Sequence, residues 1–123
     1  MKLLIDLWGT YKTILEGDNY KVKRIIVKPH SQLSLQSHKH RSEHWIVVGG
    51  NGVVSLNDSK IEVKKDDCVY IKIGDKHRMS NNSNEDVVFI EVQNGEYLGE
   101  DDIIRYEDDY GRISYMMIMK NNF

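Results

Sequence analysis

Short β-prone runs recur along this chain at spacings of roughly 8–12 residues, each closed by a turn signal, and that rhythm limits what it can fold into. Tyr20 to Val27 (YKVKRIIV) is dense in β-branched residues, and Pro29 closes it because proline cannot donate into a ladder. Leu33 and Leu35 alternate with Ser34 and Gln36, a period of two. His44 to Val48 (HWIVV) stops at Gly49-Gly50-Asn51-Gly52, where glycine's tolerance of positive φ predicts a tight hairpin into Val53 to Leu56. Asn57-Asp58-Ser59 predicts the next turn and Ile61 to Val63 the returning strand. Cys68 to Ile73 (CVYIKI) and Val87 to Val92 (VVFIEV) predict two more. No amphipathic helix of convincing length, internal repeat or low-complexity tract interrupts the series. The expectation is an all-β, antiparallel sandwich or barrel, whose closure removes strand edges that would recruit another chain.

At 123 residues the chain suits one domain spanning 1–123, long enough to bury a core and too short for two domains of ordinary size. A formal net charge of −2 gives no electrostatic reason to expect a nucleic-acid or membrane partner. Cys68 is the only cysteine and cannot form an intramolecular disulfide, so a cytoplasmic location is expected, with Cys68 packed as a small apolar side chain. The apolar run in Met1 to Asp6 is too short for a signal peptide, and no stretch reaches the ~20 apolar residues of a membrane-spanning helix. The tail from about residue 113, Ile113 to Met119 (ISYMMIM), is markedly apolar and reads as a last strand or, preferably, a contact in a homodimer. The acidic runs Glu100-Asp101-Asp102 and Glu107-Asp108-Asp109 read as solvated faces, or as loop anchors through Arg105 or Arg112.

Four of the five histidines fall into two clusters, Gln36-Ser37-His38-Lys39-His40-Arg41-Ser42-Glu43-His44 and Gly74-Asp75-Lys76-His77-Arg78. On a strand, Gln36 and His38 share a face, and Glu43, opening the next strand, can turn toward the same interior. His77, from across a barrel, can complete the ring. Two imidazoles, a carboxylate and an amide oxygen form a mixed N/O set suited to one divalent ion: Zn²⁺, Mn²⁺, Fe²⁺, Co²⁺ or Ni²⁺. His40 and His44 compete with His38 for ligand roles, because periodicity does not settle the register. Arg41 and Arg78, each near a proposed ligand, read as outward-facing strand residues.

The residues Gln36, His38, Glu43 and then Gly50 resemble the first motif of the cupin family, in which two ligand positions, usually both histidine, precede a glutamate and a terminating glycine. Gly74-x-x-His77-x-x-x-Asn81 resembles the second motif. Two departures stand out: Gln36 at the first histidine position, and Lys72 where the second motif usually has proline. A narrower resemblance covers most of the chain. Trp8-Gly9 with Tyr11, Val22 to Ile25 and Leu33 to Gln36 set its beginning. The run from Gln36 to Trp45, then His77-Arg78, occupies its middle. Glu91-Val92-Gln93, Gly95, Tyr97 to Ile103, and Glu107 to Arg112 complete it. Together they are similar to the type II mannose-6-phosphate isomerase domain, usually fused behind a mannose-1-phosphate guanylyltransferase.

That resemblance implies an antiparallel, jelly-roll-like cupin β-barrel and interconversion of mannose 6-phosphate and fructose 6-phosphate. A base would move a proton between C1 and C2 while a metal, zinc by preference, polarises the sugar oxygens. Carried onto this chain, it makes Gln36, His38, Glu43 and His77 the metal ligands, and Arg41 and Arg78 the cations for the sugar phosphate. His40, His44 and Lys76 are the candidates for the base. Nothing here resembles the guanylyltransferase nucleotide loop, so nucleotidyl transfer is not expected of these residues. The competing readings are a non-catalytic sugar-binding or regulatory cupin, and another metal-dependent cupin enzyme such as a dioxygenase.

Overall fold

The computed structural model describes residues 2–109, and every regular element in that span is a strand. In chain order these are β1 Leu3–Asp6, β2 Gly9–Gly17, β3 Tyr20–Val27, β4 Ser31–Gln32, β5 Leu35–Ser37, β6 Arg41–Gly49, β7 Asn51–Leu56, β8 Ser59–Lys64, β9 Cys68–Ile71, β10 His77–Asn81, β11 Val87–Gly95 and β12 Ile104–Glu107. One sheet has the order β1-β2-β3-β11-β6-β9, the other β12-β5-β10-β7-β8, with β4 also on β10. All pairings are antiparallel. The two sheets face each other across a core of Ile25, Val27, Val47, Val54, Met79, Val87, Phe89 and their neighbours. The apolar run from 113 lies outside the described residues.

Period-two burial is clearest where a strand is flanked on both sides. Along β11, Val87, Phe89, Glu91 and Gln93 are buried and the residues between them are less so. Along β6, Arg41, Glu43, Trp45 and Val47 point inward while His44, Ile46 and Val48 are exposed. Alternation alone specifies these faces, since a one-residue slip would turn every core side chain outward.

The strand over Tyr20 to Val27 forms as expected, but the hairpin expected at Gly49-Gly50-Asn51-Gly52 does not. Strand β6 pairs with β11 and β9, whereas β7 pairs with β10 and β8 in the opposite sheet, so the glycines form a corner between sheets. Gly50 has φ +78°, and a Cβ there would lie 2.2 Å from the Asp86 carbonyl oxygen, so the corner requires glycine. True hairpins occur at β2–β3 and β7–β8, with Asn19 and Asn57 at φ 64° and 52°. Cys68 is exposed at the start of β9, not packed in the core.

Candidate metal centre

Strands from both sheets converge on one end of the interior. Glu43 comes from β6 and His77 from β10, and His38 follows β5 immediately. All three are buried, and one ligand atom from each lies within 4.8 Å of the others. His38 Nε2 is 3.2 Å from Glu43 Oε2, and His77 Nε2 is 3.7 Å from Glu43 Oε1. Donors bound to one ion at ~2.1 Å, at tetrahedral to octahedral angles, stand roughly 3.0–3.4 Å apart, so small side-chain adjustments fit the trio to a divalent metal.

The far side of each imidazole is tied down. His38 Nδ1 lies 2.6 Å from the carbonyl oxygen of Asp102, and His77 Nδ1 lies 2.9 Å from that of Asp75. A carbonyl can only accept, so each Nδ1 carries the proton and each Nε2 lone pair faces Glu43. Burial, then the positive charge of Arg41 and of His77, lowers the pKa of His38 from 6.5 to about 4. Burial likewise lowers that of His77. Both rings are neutral at pH 7, the state a metal ligand needs.

The Asp102 carboxylate supports the same loop, accepting the backbone N–H groups of Lys39 and His40, each at 2.9 Å. Burial opposes its charge, but those two donors hold the Asp102 carboxyl below its usual range. The acidic run at 100–102 is therefore a structural anchor for the His38 loop. Asp102 anchors it through the backbone amides of Lys39 and His40.

Glu43 and His77 open onto a cavity of about 110 Å³. Gln36 lines it, its Cα standing opposite that of His77 across the β5–β10 pair, and its amide N–H donates to the Ser34 carbonyl oxygen at 3.3 Å. Arg41 also lines it. Its Nε donates to Glu43 Oε2 at 2.9 Å, and its Nη2 lies 3.2 Å from His38 Nε2, so its charge is engaged by the trio itself.

Four of the sequence-selected residues lie elsewhere. His44 is an outward position of β6, and its ring stacks on Tyr70 at 4.5 Å. His40 is exposed with its ring edge-on to Tyr97. Lys76 is exposed and lies over the Tyr106 ring at 4.3 Å. Arg78 is the outward neighbour of His77, its Nε donating to the Leu33 carbonyl and its Nη1 to Glu107 at 3.0 Å. None of these four lines the cavity: strand alternation turns His44 and Arg78 away from it, and His40 and Lys76 lie on the loops that precede β6 and β10. The candidate base residues His40, His44 and Lys76 and the candidate phosphate ligand Arg78 thus lie outside this cavity.

Among the charged groups of the cavity wall are two buried strand residues to which sequence reasoning gave no role, Glu91 on β11 and Lys23 on β3. Glu91 Oε1 accepts the Trp45 indole N–H at 3.1 Å, and that same N–H reaches Glu43 Oε1 at 2.9 Å. Burial foremost, then the charge of Glu43 and a hydrogen bond with it, raises Glu91 to about 7, against the pull of Arg41 and Lys23. The signal was present in the pattern. Glu91 is in phase with Val87 and Phe89, and Lys23 with Ile25 and Val27, so each is a charged residue at an inward position.

The family described as "Mannose-6-phosphate isomerase C-terminal" matches residues 4–108. The xanthan biosynthesis protein XanB of Xanthomonas campestris pv. campestris is 50% identical over 105 residues, 85% of this chain and 22% of that protein. Mannose-1-phosphate guanylyltransferase ManC of Salmonella typhimurium is 44% identical over 106 residues, 86% of this chain and 22% of that protein. This chain thus spans about a fifth of the length of such relatives. In fold it is similar to a cupin-2 domain from Rhodospirillum rubrum, with a TM-score of 0.70 at 18% identity over 82% of this chain and 77% of that one. The antiparallel two-sheet barrel is therefore a cupin, and the chain belongs to the mannose-6-phosphate isomerase C-terminal family.

Proposed function

We propose that this chain is a metal-dependent aldose–ketose isomerase domain acting on mannose 6-phosphate and fructose 6-phosphate. The observation that carries the reading is the cluster of two neutral imidazoles, oriented by backbone carbonyls, and one carboxylate, of which His77 and Glu43 line a cavity that holds a separate buried carboxyl group. His38, Glu43 and His77 would hold the ion, with Gln36 beside them as a fourth donor. Zinc suits this N/O set, and bound there it would supply Lewis-acid polarisation of the sugar oxygens.

The remaining work falls to residues of the chain. Glu91 lines the cavity outside the trio and is the group placed to carry the proton, taking it from C2 of the aldose and returning it to C1. It replaces His40, His44 and Lys76 in that role. Its carboxyl is held by Trp45 and by the Gln93 amide, which donates to Glu91 Oε2 at 2.9 Å. The exchange between O1 and O2 balances with one proton and needs no external oxidant. The family match and the mannose phosphate in the name of ManC support this choice of sugar.

The test is a coupled assay for fructose 6-phosphate formed from mannose 6-phosphate, on metal-stripped protein resupplied in turn with Zn²⁺, Mn²⁺, Co²⁺, Ni²⁺ and Fe²⁺. Metal-dependent turnover that His77→Ala removes is the expected result. Absence of turnover with every ion, despite measured loading, overturns the reading and leaves a sugar-binding cupin in its place.

A further inference from the structure

Lys23 is a lysine with only 4% of its surface exposed, at an inward position of β3. Buried lysines are rare without a partner, and Glu100 supplies one through a direct ion pair with Lys23 Nζ. The partner is unusual: the Glu100 side chain is 58% exposed and stands on the segment between β11 and β12, outside any strand. Lys21 Nζ lies 3.8 Å from the same Glu100 carboxylate and donates to the Leu98 carbonyl. Two lysines thus gather around one half-exposed acid at the cavity wall. The Lys23 ammonium also lies 5.0 Å from the Tyr11 ring centre.

The position of this cation relative to the trio follows from register. Lys23 stands opposite Glu91, and Glu91 stands opposite Trp45, so two strand spacings separate Lys23 from the strand that carries Glu43. At ~4.8 Å per spacing that is roughly 10 Å, comparable to the separation between C1 and the phosphate of an extended hexose 6-phosphate. Lys23, Glu100, Glu43 and His77 all line the one cavity.

We propose that Lys23 holds the phosphate of a sugar phosphate whose other end lies at the His38–Glu43–His77 trio, and that Glu100 is the anion the phosphate displaces. This rests on the sugar-phosphate reading above. A phosphate brings nearly two charges and three acceptor oxygens, against one charge from a carboxylate, so it competes well for a compact ammonium with three donors. Glu100 can leave because its side chain is already half in water. Glu91 cannot serve as the placeholder, being fixed by Trp45 and Gln93.

The experiment uses the metal-loaded chain with Lys23→Met and Glu100→Gln, and reads both turnover and binding. Binding is followed by the fluorescence of Trp8 and Trp45, which line the cavity, on titration with mannose 6-phosphate, mannose and inorganic phosphate. Lys23→Met is expected to raise KM for mannose 6-phosphate about 10- to 100-fold, leave kcat within a few-fold, and erase the preference over mannose. Glu100→Gln is expected to lower KM, because it removes the competitor and keeps the cation. A pair that merely braces the fold would weaken binding in both variants, and that result overturns the proposal. So does a Lys23→Met protein that keeps its preference for the phosphorylated sugar, or an unaltered protein that has none. Should Lys23→Met fail to fold, Glu100→Gln decides alone, and unchanged or weaker phosphate binding there counts against the site. A chain that turns nothing over yet binds the phosphorylated sugar through Lys23 would sink the isomerase reading and keep the phosphate site.

Discussion

The two ends of the barrel interior are built from the same strands on opposite rules. Followed along β11, the inward residues run Val87, Phe89, Glu91, Gln93. Along β6 they run Val47, Trp45, Glu43, Arg41, and along β3 Val27, Ile25, Lys23. One end is apolar throughout. The other is buried just as deeply but carries charge on every one of these three strands, and Trp45 marks the boundary, with its ring on Phe89 at 4.6 Å and its N–H on Glu43 and Glu91. Burial without charge stabilises a fold; burial of charge opposes it unless each group is partnered. The apolar end therefore supplies the stability that lets the other end hold ionisable groups in place, and the difference sets the candidate metal centre at the charged end.

The sharpest way to break the comparison is to cut each end and ask what is lost. Phe89→Ala, at the apolar end, is expected to cost about 3–5 kcal/mol by urea unfolding, equally in stripped and metal-loaded protein. Metal affinity of the fraction still folded should be unaltered. A loss of metal affinity with no loss of stability would show that the two ends are not separable.

Titration sharpens the same contrast. The folded Glu91 carboxyl binds its proton up to about pH 7, well above its ordinary value of 4.5, so the fold takes up protons that the unfolded chain has released. Its contribution to stability therefore falls as pH rises from about 4.5 to about 7. His38, lowered from 6.5 to about 4, does the reverse across pH 4 to 6.5, where the unfolded chain binds the extra proton and stability rises with pH. Metal-free Glu91→Gln should therefore gain stability relative to the parent as pH rises from 5 to 7.5, by up to ~3 kcal/mol. Parallel urea midpoints at the two pH values would remove Glu91 from this account.

A smaller effect is expected one layer out from the trio. Asp102→Ala removes the acceptor for the Lys39 and His40 amides while leaving every proposed ligand in place. Competition titration with a chelator should show metal affinity reduced roughly 10- to 100-fold. An unchanged affinity would mean that the His38 loop holds its shape without that carboxylate.

Legibility in the sequence divided along a physical line. His38, Glu43 and His77 could be grouped because they stand at positions resembling the two cupin motifs, where spacing alone left His40 and His44 in competition, and the antiparallel fold could be read because turn signals and β-branched runs are local. The corner at Gly50 was read as a hairpin because positive φ is a local property, while which sheet the next strand joins depends on pairings dozens of residues away. Glu91 and Lys23 were missed for a related reason: charge in a strand ordinarily marks its wet face, and only phase with Phe89 or Ile25 shows these two to point inward. For Asp102 the sequence left open a solvated face or a loop anchor, because its partners are backbone amides, which no side-chain pattern records.

The least effect should come from the outward row, and there a null result carries information. His44 lies between Glu43 and Trp45 in sequence, yet its side chain leaves β6 on the opposite face and packs on Tyr70. His44→Ala removes that exposed ring contact, so stability should change by no more than ~0.5 kcal/mol. Metal affinity and kcat should match the parent, because no inward group loses a partner. Were His44→Ala to abolish turnover while leaving the metal bound, the proton-carrying role would leave Glu91, and strand phase would no longer sort the catalytic residues of this barrel from its surface. A kcat equal to the parent's, set beside an inactive His77→Ala, would fix that sorting at two histidines on different strands, one facing in and one facing out.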